Sequence, residues 1–200
     1  MKLLLTSAGL KNKKISDFLV SILPKAPPEC SVLMIVYVQN ENERFYVNES
    51  KKELVGLGIK DISFFNLEER KFSDFKNYDI IYVCGGNTFA ILNRMRITRI
   101  DYSIKELVGK GSLYFGVSAG SIIAGPSIEI SGWGSEGDKN EVDLEDLGGL
   151  NFTNISVFPH FKDNLEIEIE QYCNKVSFPV IKLADSEAVF IDDTGYKIIH

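Results

Sequence analysis

Short apolar runs rich in β-branched residues alternate along the chain with stretches of helical periodicity. The periodicity is clearest over 13–23, where Ile15, Phe18, Leu19 and Ile22 fall on one stripe. The pattern predicts strands at 2–6, 32–38, 62–66, 78–84 and 112–117, and helices at 13–23, 48–57, 88–96 and 99–108. Such a strand–helix–strand series forms a mostly parallel sheet covered by helices on both faces. The chain is therefore predicted to have an α/β fold.

The last third of the chain has a different pattern. Segment 131–149 contains five glycines and six acidic residues, which is typical of a long loop or flap over the strand ends. Beyond it we predict a strand at 155–158, a helix at 164–172, and short closing strands at 180–183, 189–192 and 196–199, with a hairpin turn at 193–195. No repeat, low-complexity stretch or linker interrupts the pattern. A single domain over residues 1–200 is expected.

Composition narrows the class of protein. With 200 residues, 44% of them apolar, the chain can bury a core that needs no disulfide or metal. The net charge of −6, without a basic run, argues against nucleic acid and anionic membranes as partners. Three cysteines without a CxxC pair indicate a reducing compartment and no zinc site. No apolar stretch is long enough for a membrane span or a signal peptide. We expect a cytoplasmic protein without a cofactor, of undetermined oligomeric state.

The sequence GVSAG at 116–120 has the pattern Gly-x-Ser-x-Gly, between an apolar strand and the short helical stretch 121–124. In a nucleophile elbow the serine stands on a strained strand-to-helix turn, with its hydroxyl free at the strand end. The pattern therefore favours Ser118 as a nucleophile and the N–H of Ala119 as a donor to a developing oxyanion. The alternative interpretation is a glycine-rich turn with a solvated serine.

The sequence CGGNTF at 84–89 forms a second strand-to-helix junction. Gly85 and Gly86 allow the backbone to approach a ligand closely, and Asn87 is a natural N-cap for the following helix. The N–H of Gly86 is the better placed of the two to give a second oxyanion donor, whereas the alternative is tight strand–helix packing. The spacing does not fit a dinucleotide site. Cys84 ends an apolar strand and is expected to be an inert core thiol.

The chain has two histidines, and His200 is its last residue. His160 lies in the sequence FPHF at 158–161, just past a predicted strand. A serine nucleophile needs a base such as imidazole within hydrogen-bond reach, so His160 is the candidate base, although a histidine between aromatic residues can also be a packed structural residue. The triplet SAG recurs at 7–9, but Leu5 stands where an elbow needs glycine. Ser7 is therefore predicted to be a loop residue or helix cap near the site.

At GGNTF, GVSAG and FPHF the chain resembles the peptidase E (aspartyl dipeptidase) family of serine peptidases, which is related to the cyanophycinases. The order and spacing of the three motifs fit over residues 1–192. The resemblance implies an α/β domain of the class I glutamine amidotransferase type. It also implies that Ser118 is the nucleophile, His160 the base, and Gly86 and Ala119 the oxyanion donors.

The third member of the triad is where the chain departs from the family. In peptidase E an aspartate follows the serine by fifteen positions, and Trp133 stands there instead. Asp185, after the strand 180–183, resembles an acid found in the same segment of related enzymes and is the preferred candidate. The flap acids Glu136 and Asp138 are the next candidates. Asp163 is explained by helix capping.

These observations favour a serine dipeptidase whose substrates are short peptides with an N-terminal aspartate, the aspartate being implied by the resemblance. Lys162 and the amides of 7–9 are the candidate groups for an acidic side chain. Two alternatives stay open: a cyanophycinase-like hydrolase of β-aspartyl peptides, and a non-catalytic binding protein with a degraded triad.

Overall fold

A computed structural model describes residues 1–68 and 76–200. Its strands are β1 (Leu3–Thr6), β2 (Ser31–Val36), β3 (Asp61–Asn66), β4 (Ile80–Val83), β5 (Leu113–Val117), β6 (Ser156–Phe158), β7 (Val180–Lys182), β8 (Ala188–Asp192) and β9 (Gly195–Ile199). Its α-helices are α1 (Lys13–Ile22), α2 (Glu41–Gly56), α3 (Thr88–Thr98), α4 (Ile100–Gly109), α5 (Ala119–Ile123) and α6 (Glu166–Cys173). Short 3-10 helices lie at Pro27–Glu29, Glu129–Gly132 and Asp163–Leu165.

Seven of the strands form one sheet in the order β3-β2-β4-β5-β1-β8-β9. The first five are parallel, and β8 and β9 add antiparallel strands at one edge. The predicted α/β fold with a mostly parallel sheet is therefore confirmed. Because β4, β5 and β1 are neighbours and parallel, the turns that follow them meet at the same edge of the sheet.

Alternating residues of the strands pack on opposite faces of this sheet, as period-2 geometry requires. Leu4 packs on the face covered by α1 and α2, against Ile15 and Leu19 among others. Leu3 and Leu5 pack on the other face, which is covered by α3, α4, α5 and α6. Helices thus cover both faces, and each central strand is buried along its length.

Several element predictions need correction. Helix α2 begins at Glu41, seven residues before the predicted start, because Asn40 and Glu43 form a reciprocal capping box. Phe45 and Tyr46 are 58% and 67% exposed, so the first turns of α2 lack the regular alternation of buried apolar and exposed polar positions that identifies a helix in the sequence. Of the three predicted closing strands, β8 and β9 join the main sheet, whereas β7 pairs in parallel with β6 in a separate two-stranded sheet.

Segment 131–149 is largely irregular, as predicted, but it is anchored to the rest of the molecule. It begins within the 3-10 helix Glu129–Gly132, and the side chains of Leu144 and Leu147 pack against the core. Of the helices in the described ranges, none is both long and apolar enough to cross a membrane.

Candidate active site

Ser118 occupies the turn between β5 and α5 with φ 50° and ψ −113°. This left-handed φ is strained for a residue with a side chain. The turn leaves no space beside the serine: a methyl group on Gly116 would lie 2.6 Å from the Gly120 carbonyl oxygen, and one on Gly120 would lie 2.2 Å from that of Val83. The Ser118 N–H donates to the carbonyl of Thr6 at 3.0 Å, which ties the turn to β1. The predicted elbow geometry is present.

His160 lies in the loop that follows β6, and its Nε2 is 2.9 Å from Oγ of Ser118. Its Nδ1 is 2.6 Å from Oδ1 of Asp185. The backbone of His160 also has a positive φ, of 57°. The structure therefore brings together the three side chains that the sequence predicted as a triad, although they are separated by 42 and 25 positions along the chain.

Asp185 lies in the turn between β7 and β8. Partial burial of its carboxyl group opposes ionisation. The hydrogen bond and charge of His160, the hydroxyl of Ser7 and the charge of Lys11 outweigh this effect, so the pKa of Asp185 lies below the ordinary 3.8. The Asp185 carboxylate is thus a stable hydrogen-bond acceptor at neutral pH. An ionised acceptor on Nδ1 requires the proton of a neutral imidazole to sit there, which leaves Nε2 free to accept one.

Two backbone N–H groups are available beside the serine. Within the described ranges, the amides of Gly86 and Ala119 have no hydrogen-bond acceptor. Gly86 has φ 141°, a conformation open to glycine, and a methyl group on Gly85 would lie 3.2 Å from Cβ of Ser118. Asn87 is the N-cap of α3, and its Oδ1 accepts the N–H of Ala90. The CGGNTF junction therefore packs directly against the elbow.

The two flap acids considered for the triad, Glu136 and Asp138, are engaged elsewhere. Oδ2 of Asp138 accepts the N–H of Thr88 at 2.8 Å, and the side chain of Asn87 donates to the carbonyl of Lys139, so this segment holds the start of α3. The carboxylate of Glu136 pairs with Lys162 at 2.9 Å. The bond from Asp138 to α3 could not be predicted from sequence spacing, because the two residues are 50 positions apart.

Asp163 does not have the predicted capping role. It is the first residue of the 3-10 helix Asp163–Leu165, whose N-cap is Lys162, and no side chain caps that helix or α6. The predicted cap fails because the short 3-10 turn precedes α6 and shifts its first residue to Glu166.

A cleft of about 170 Å³ opens on one side of Ser118 and His160. Its walls include Trp133, Leu165 and Phe158, with Glu136 also lining it. Trp133 stacks edge-on against Tyr172 and faces the ammonium group of Lys175, so an aromatic wall occupies the position of the aspartate in the family pattern. A wider groove lies on the other side of the triad, beside Lys11 and α2. The cleft and the groove therefore leave open space on both sides of the Ser118 hydroxyl.

Other potential reactive groups are poor candidates. Burial raises the pKa of the Cys84 thiol to about 12, so it stays protonated and unreactive at neutral pH. Across residues 1–68 and 76–200, no group of three His, Cys, Asp or Glu side chains is arranged to hold a metal ion.

Comparison with known proteins identifies the family. The model of Peptidase family S51 matches residues 3–199. An uncharacterized peptidase of Listeria monocytogenes serovar 1/2a is 34% identical over 160 residues, 76% of each chain. Peptidase E of Shigella flexneri serotype 5b is 29% identical over 120 residues, which are 60% of this chain and 50% of the relative.

Solved structures agree with this assignment. A crystal structure of a candidate peptidase E from Listeria monocytogenes EGD-e superimposes with a TM-score of 0.79 at 27% identity, covering 100% of this chain and 98% of the other. A peptidase from an acI-B1 actinobacterium shares the fold, with a TM-score of 0.70 at 17% identity over 99% of this chain and 86% of the other. Fold and sequence together define a peptidase. The chain belongs to Peptidase family S51.

Proposed function

We propose that this protein is a serine peptidase that hydrolyses short peptides through an acyl-enzyme on Ser118. The observation that carries the proposal is the contact of 2.9 Å between Nε2 of His160 and the hydroxyl of Ser118, the residue with the strained backbone. A serine hydroxyl is a weak nucleophile until an adjacent base accepts its proton, and this contact is within the reach that such a transfer needs.

The chemistry follows from the hydrogen bonds at the site. Nε2 of His160 takes the proton of Ser118 as Oγ attacks the carbonyl carbon of the substrate. The amides of Gly86 and Ala119 are the proposed donors to the oxyanion that forms. When the C–N bond breaks, His160 returns the proton to the leaving amine. Water then attacks the ester carbon while His160 accepts one of its protons. The bond between that carbon and Oγ breaks, His160 returns the proton to Oγ of Ser118, and the acid product leaves.

Asp185 is the proposed third member of the triad. Its bond of 2.6 Å to Nδ1 holds the useful tautomer and stabilises the imidazolium that forms in each step. The flap acids are weaker candidates because Asp138 accepts the N–H of Thr88 and Glu136 pairs with Lys162. The intact serine–imidazole contact argues against a degraded, non-catalytic relative, even though Trp133 replaces the aspartate of the family pattern.

The finer substrate proposal is a dipeptide with an N-terminal aspartate. Small substrates suit a cleft of about 170 Å³ with one wall from the 131–149 segment. The aspartate preference rests on the resemblance and on the peptidase E relatives. Lys162 is the proposed cation for the acidic side chain, and a substrate carboxylate would have to displace Glu136 from it. The 7–9 amides are weaker candidates, because those of Ser7 and Gly9 already donate within the protein.

A panel of Asp-X, Glu-X, Ala-X and β-Asp-X dipeptides at equal concentration tests the proposal. We expect Asp-X to be cleaved fastest by the wild type and none to be cleaved by Ser118→Ala. Lys162→Met should abolish the preference for Asp-X over Ala-X. Lys110→Met should keep it, because Lys110 is an exposed lysine at the C-cap of α4. Equal wild-type rates for Asp-X and Ala-X would refute the proposed preference for aspartate but leave the serine peptidase proposal intact. Cleavage of β-Asp-X only would assign the protein to the cyanophycinase-like alternative.

A further inference from the structure

Ser7 stands at the end of β1, where the chain leaves the sheet beside the elbow. Its side chain is fully buried. The triplet SAG at 7–9 copies that of the elbow, yet this serine is not placed as a second nucleophile, because it has no access to solvent and its hydroxyl is engaged within the protein. The hydrogen bonds of Ser7 point instead to a role in holding other residues of the site.

Ser7 makes three hydrogen bonds to the segments that carry His160 and Asp185. Its N–H donates to the carbonyl of Glu187 at 3.2 Å, in the turn that holds Asp185. Its Oγ accepts the backbone N–H of His160 at 2.7 Å. The same Oγ donates to Oδ1 of Asp185 at 3.2 Å. One buried side chain thus joins two loops that lie 153 and 178 positions away.

The direction of each bond follows from simple proton counting. A backbone N–H can only donate, so Oγ of Ser7 must accept from His160 and has its own hydrogen free for Asp185. Oδ1 of Asp185 then accepts from the hydroxyl and from Nδ1 of His160 at once. Two donors on one oxygen favour the ionised carboxylate and the Nδ1–H tautomer. That tautomer leaves Nε2 as the acceptor for the proton of Ser118.

Both partners of Ser7 need such support. The side chain of Asp185 is 68% exposed and that of His160 is 47% exposed, so packing alone holds neither group rigidly. The backbone of His160 is also in the left-handed region at φ 57°, which is unfavourable for a residue with a side chain. The hydrogen bond that its N–H donates to the buried Oγ of Ser7 offsets part of that cost.

We propose that Ser7 is a positioning residue that fixes the orientation of Asp185 and the backbone of His160 through one hydroxyl. The inference rests on the proposed serine peptidase function. Outer partners of this kind typically change activity about 10–100-fold when removed from metal-ligating histidines, and a similar scale is expected for a histidine base. Ser7→Ala should therefore lower kcat by about 10–100-fold while KM changes less than about threefold.

A double-mutant cycle separates positioning from a general structural role. In an Asp185→Ala background, Ser7→Ala should cost clearly less than it does in the wild type, because the carboxylate it orients is already gone and only its hydrogen bond to the backbone of His160 remains to be lost. Ser112→Ala is the matched control: Ser112 is also a buried serine that donates to a backbone carbonyl, that of Tyr78, but it lies at the opposite end of β5. It should leave kcat within about twofold of the wild type. An equal loss from Ser7→Ala in both backgrounds, or wild-type kcat in the single variant, would overturn the inference.

A second readout is the tautomer of His160, followed by NMR of protein labelled with ¹⁵N at histidine. The chain has only two histidines, so His200 serves as an internal reference. We expect the Nδ1–H form in the wild type, a mixture of tautomers in Ser7→Ala, and no change at His200. An unchanged His160 spectrum would contradict the proposal.

Two further controls keep the outcome interpretable. If Ser7→Ala does not fold, Ser7→Cys retains the size of the side chain with a weaker hydrogen-bonding group, and it should lower kcat and shift the tautomer to a lesser extent. Wild-type values for Ser7→Cys would then refute the inference. Failure of the proposed function is distinguishable, because the wild type itself would then hydrolyse no peptide and Ser118→Ala would change nothing.

Discussion

Replacing Asp185 by asparagine keeps the shape of the side chain and removes its charge. The carboxylate lies 2.6 Å from Nδ1 of His160 and is ionised at neutral pH, since its pKa is below the ordinary 3.8. Asp185→Asn should therefore lose the stabilisation of the imidazolium that forms when Ser118 gives up its proton. It also brings an amide N–H₂ group that can donate to Nδ1 and select the tautomer with Nε2 protonated.

The size of the effect follows from the exposure of the pair. Opposite charges about 4 Å apart attract by ~1 kcal/mol in water and by ~4 kcal/mol near a protein surface. With 68% of the Asp185 side chain exposed, the lower part of that range applies, about 1–2 kcal/mol, or roughly 5–30-fold in rate. The wrong tautomer multiplies this loss, and it costs about 10⁴-fold where such an acid is buried. We expect a fall in kcat of about 10²–10³-fold.

The assay is steady-state hydrolysis of the best dipeptide of the panel at neutral pH. Asp163→Asn is the matched control, because it makes the same chemical change in a neighbouring acid that caps no helix. It should leave kcat within about twofold of the wild type. A loss of less than threefold for Asp185→Asn, or an equal loss for both variants, would refute the assignment of Asp185 to the triad.

Three other predictions concern the structure around the site. Gly120→Ala should lower the free energy of unfolding by more than about 3 kcal/mol, because its methyl group would lie 2.2 Å from a backbone oxygen. In the control Gly109→Ala the methyl group meets nothing within 4 Å, so this variant should raise the free energy of unfolding by about 0.5–1 kcal/mol. Chemical denaturation measures both changes. Burial raises the pKa of Glu53 above 4.5, so its ionised form destabilises the folded state above that pKa, and the penalty disappears below pH 4.5. Glu53→Gln should therefore raise Tm at pH 8 but not at pH 4, and a larger gain at pH 4 would contradict this sign. Asp138→Ala should lower kcat more than it raises KM by loosening the start of α3, and Asp138→Asn, which keeps an acceptor for the N–H of Thr88, should retain most of the activity.

The inner strands of the central sheet could be predicted because they are buried along nearly their whole length. The strands read as continuous apolar runs, and the periodicity of α1 is clear from Ile15 and Leu19. The sequence pattern placed the start of α2 too late, because exposed apolar residues on its first turns disturb that periodicity. The pairing of β6 with β7 is set by contacts between distant segments, which no local pattern encodes.

The same distinction applies to the site. GVSAG could be recognised because steric crowding demands glycine on both sides of the serine, and His160 followed from the shortage of histidines. Asp185 was selected by resemblance and not by any local signal. Ser7 was placed near the site, but its bonds to His160 and Asp185 could not be predicted, since a serine with three partners looks like any other serine in a loop.

The most direct test of the central claim is the identity of the residue that forms a covalent bond. The wild type is incubated with a fluorophosphonate, digested, and examined by mass spectrometry to locate the adduct. We expect stoichiometric labelling on Ser118, loss of the label in Ser118→Ala, and much slower labelling in His160→Ala, whose serine lacks its base. An adduct on Ser7 or on any residue other than Ser118, or an active wild type that takes up no label, would contradict the account.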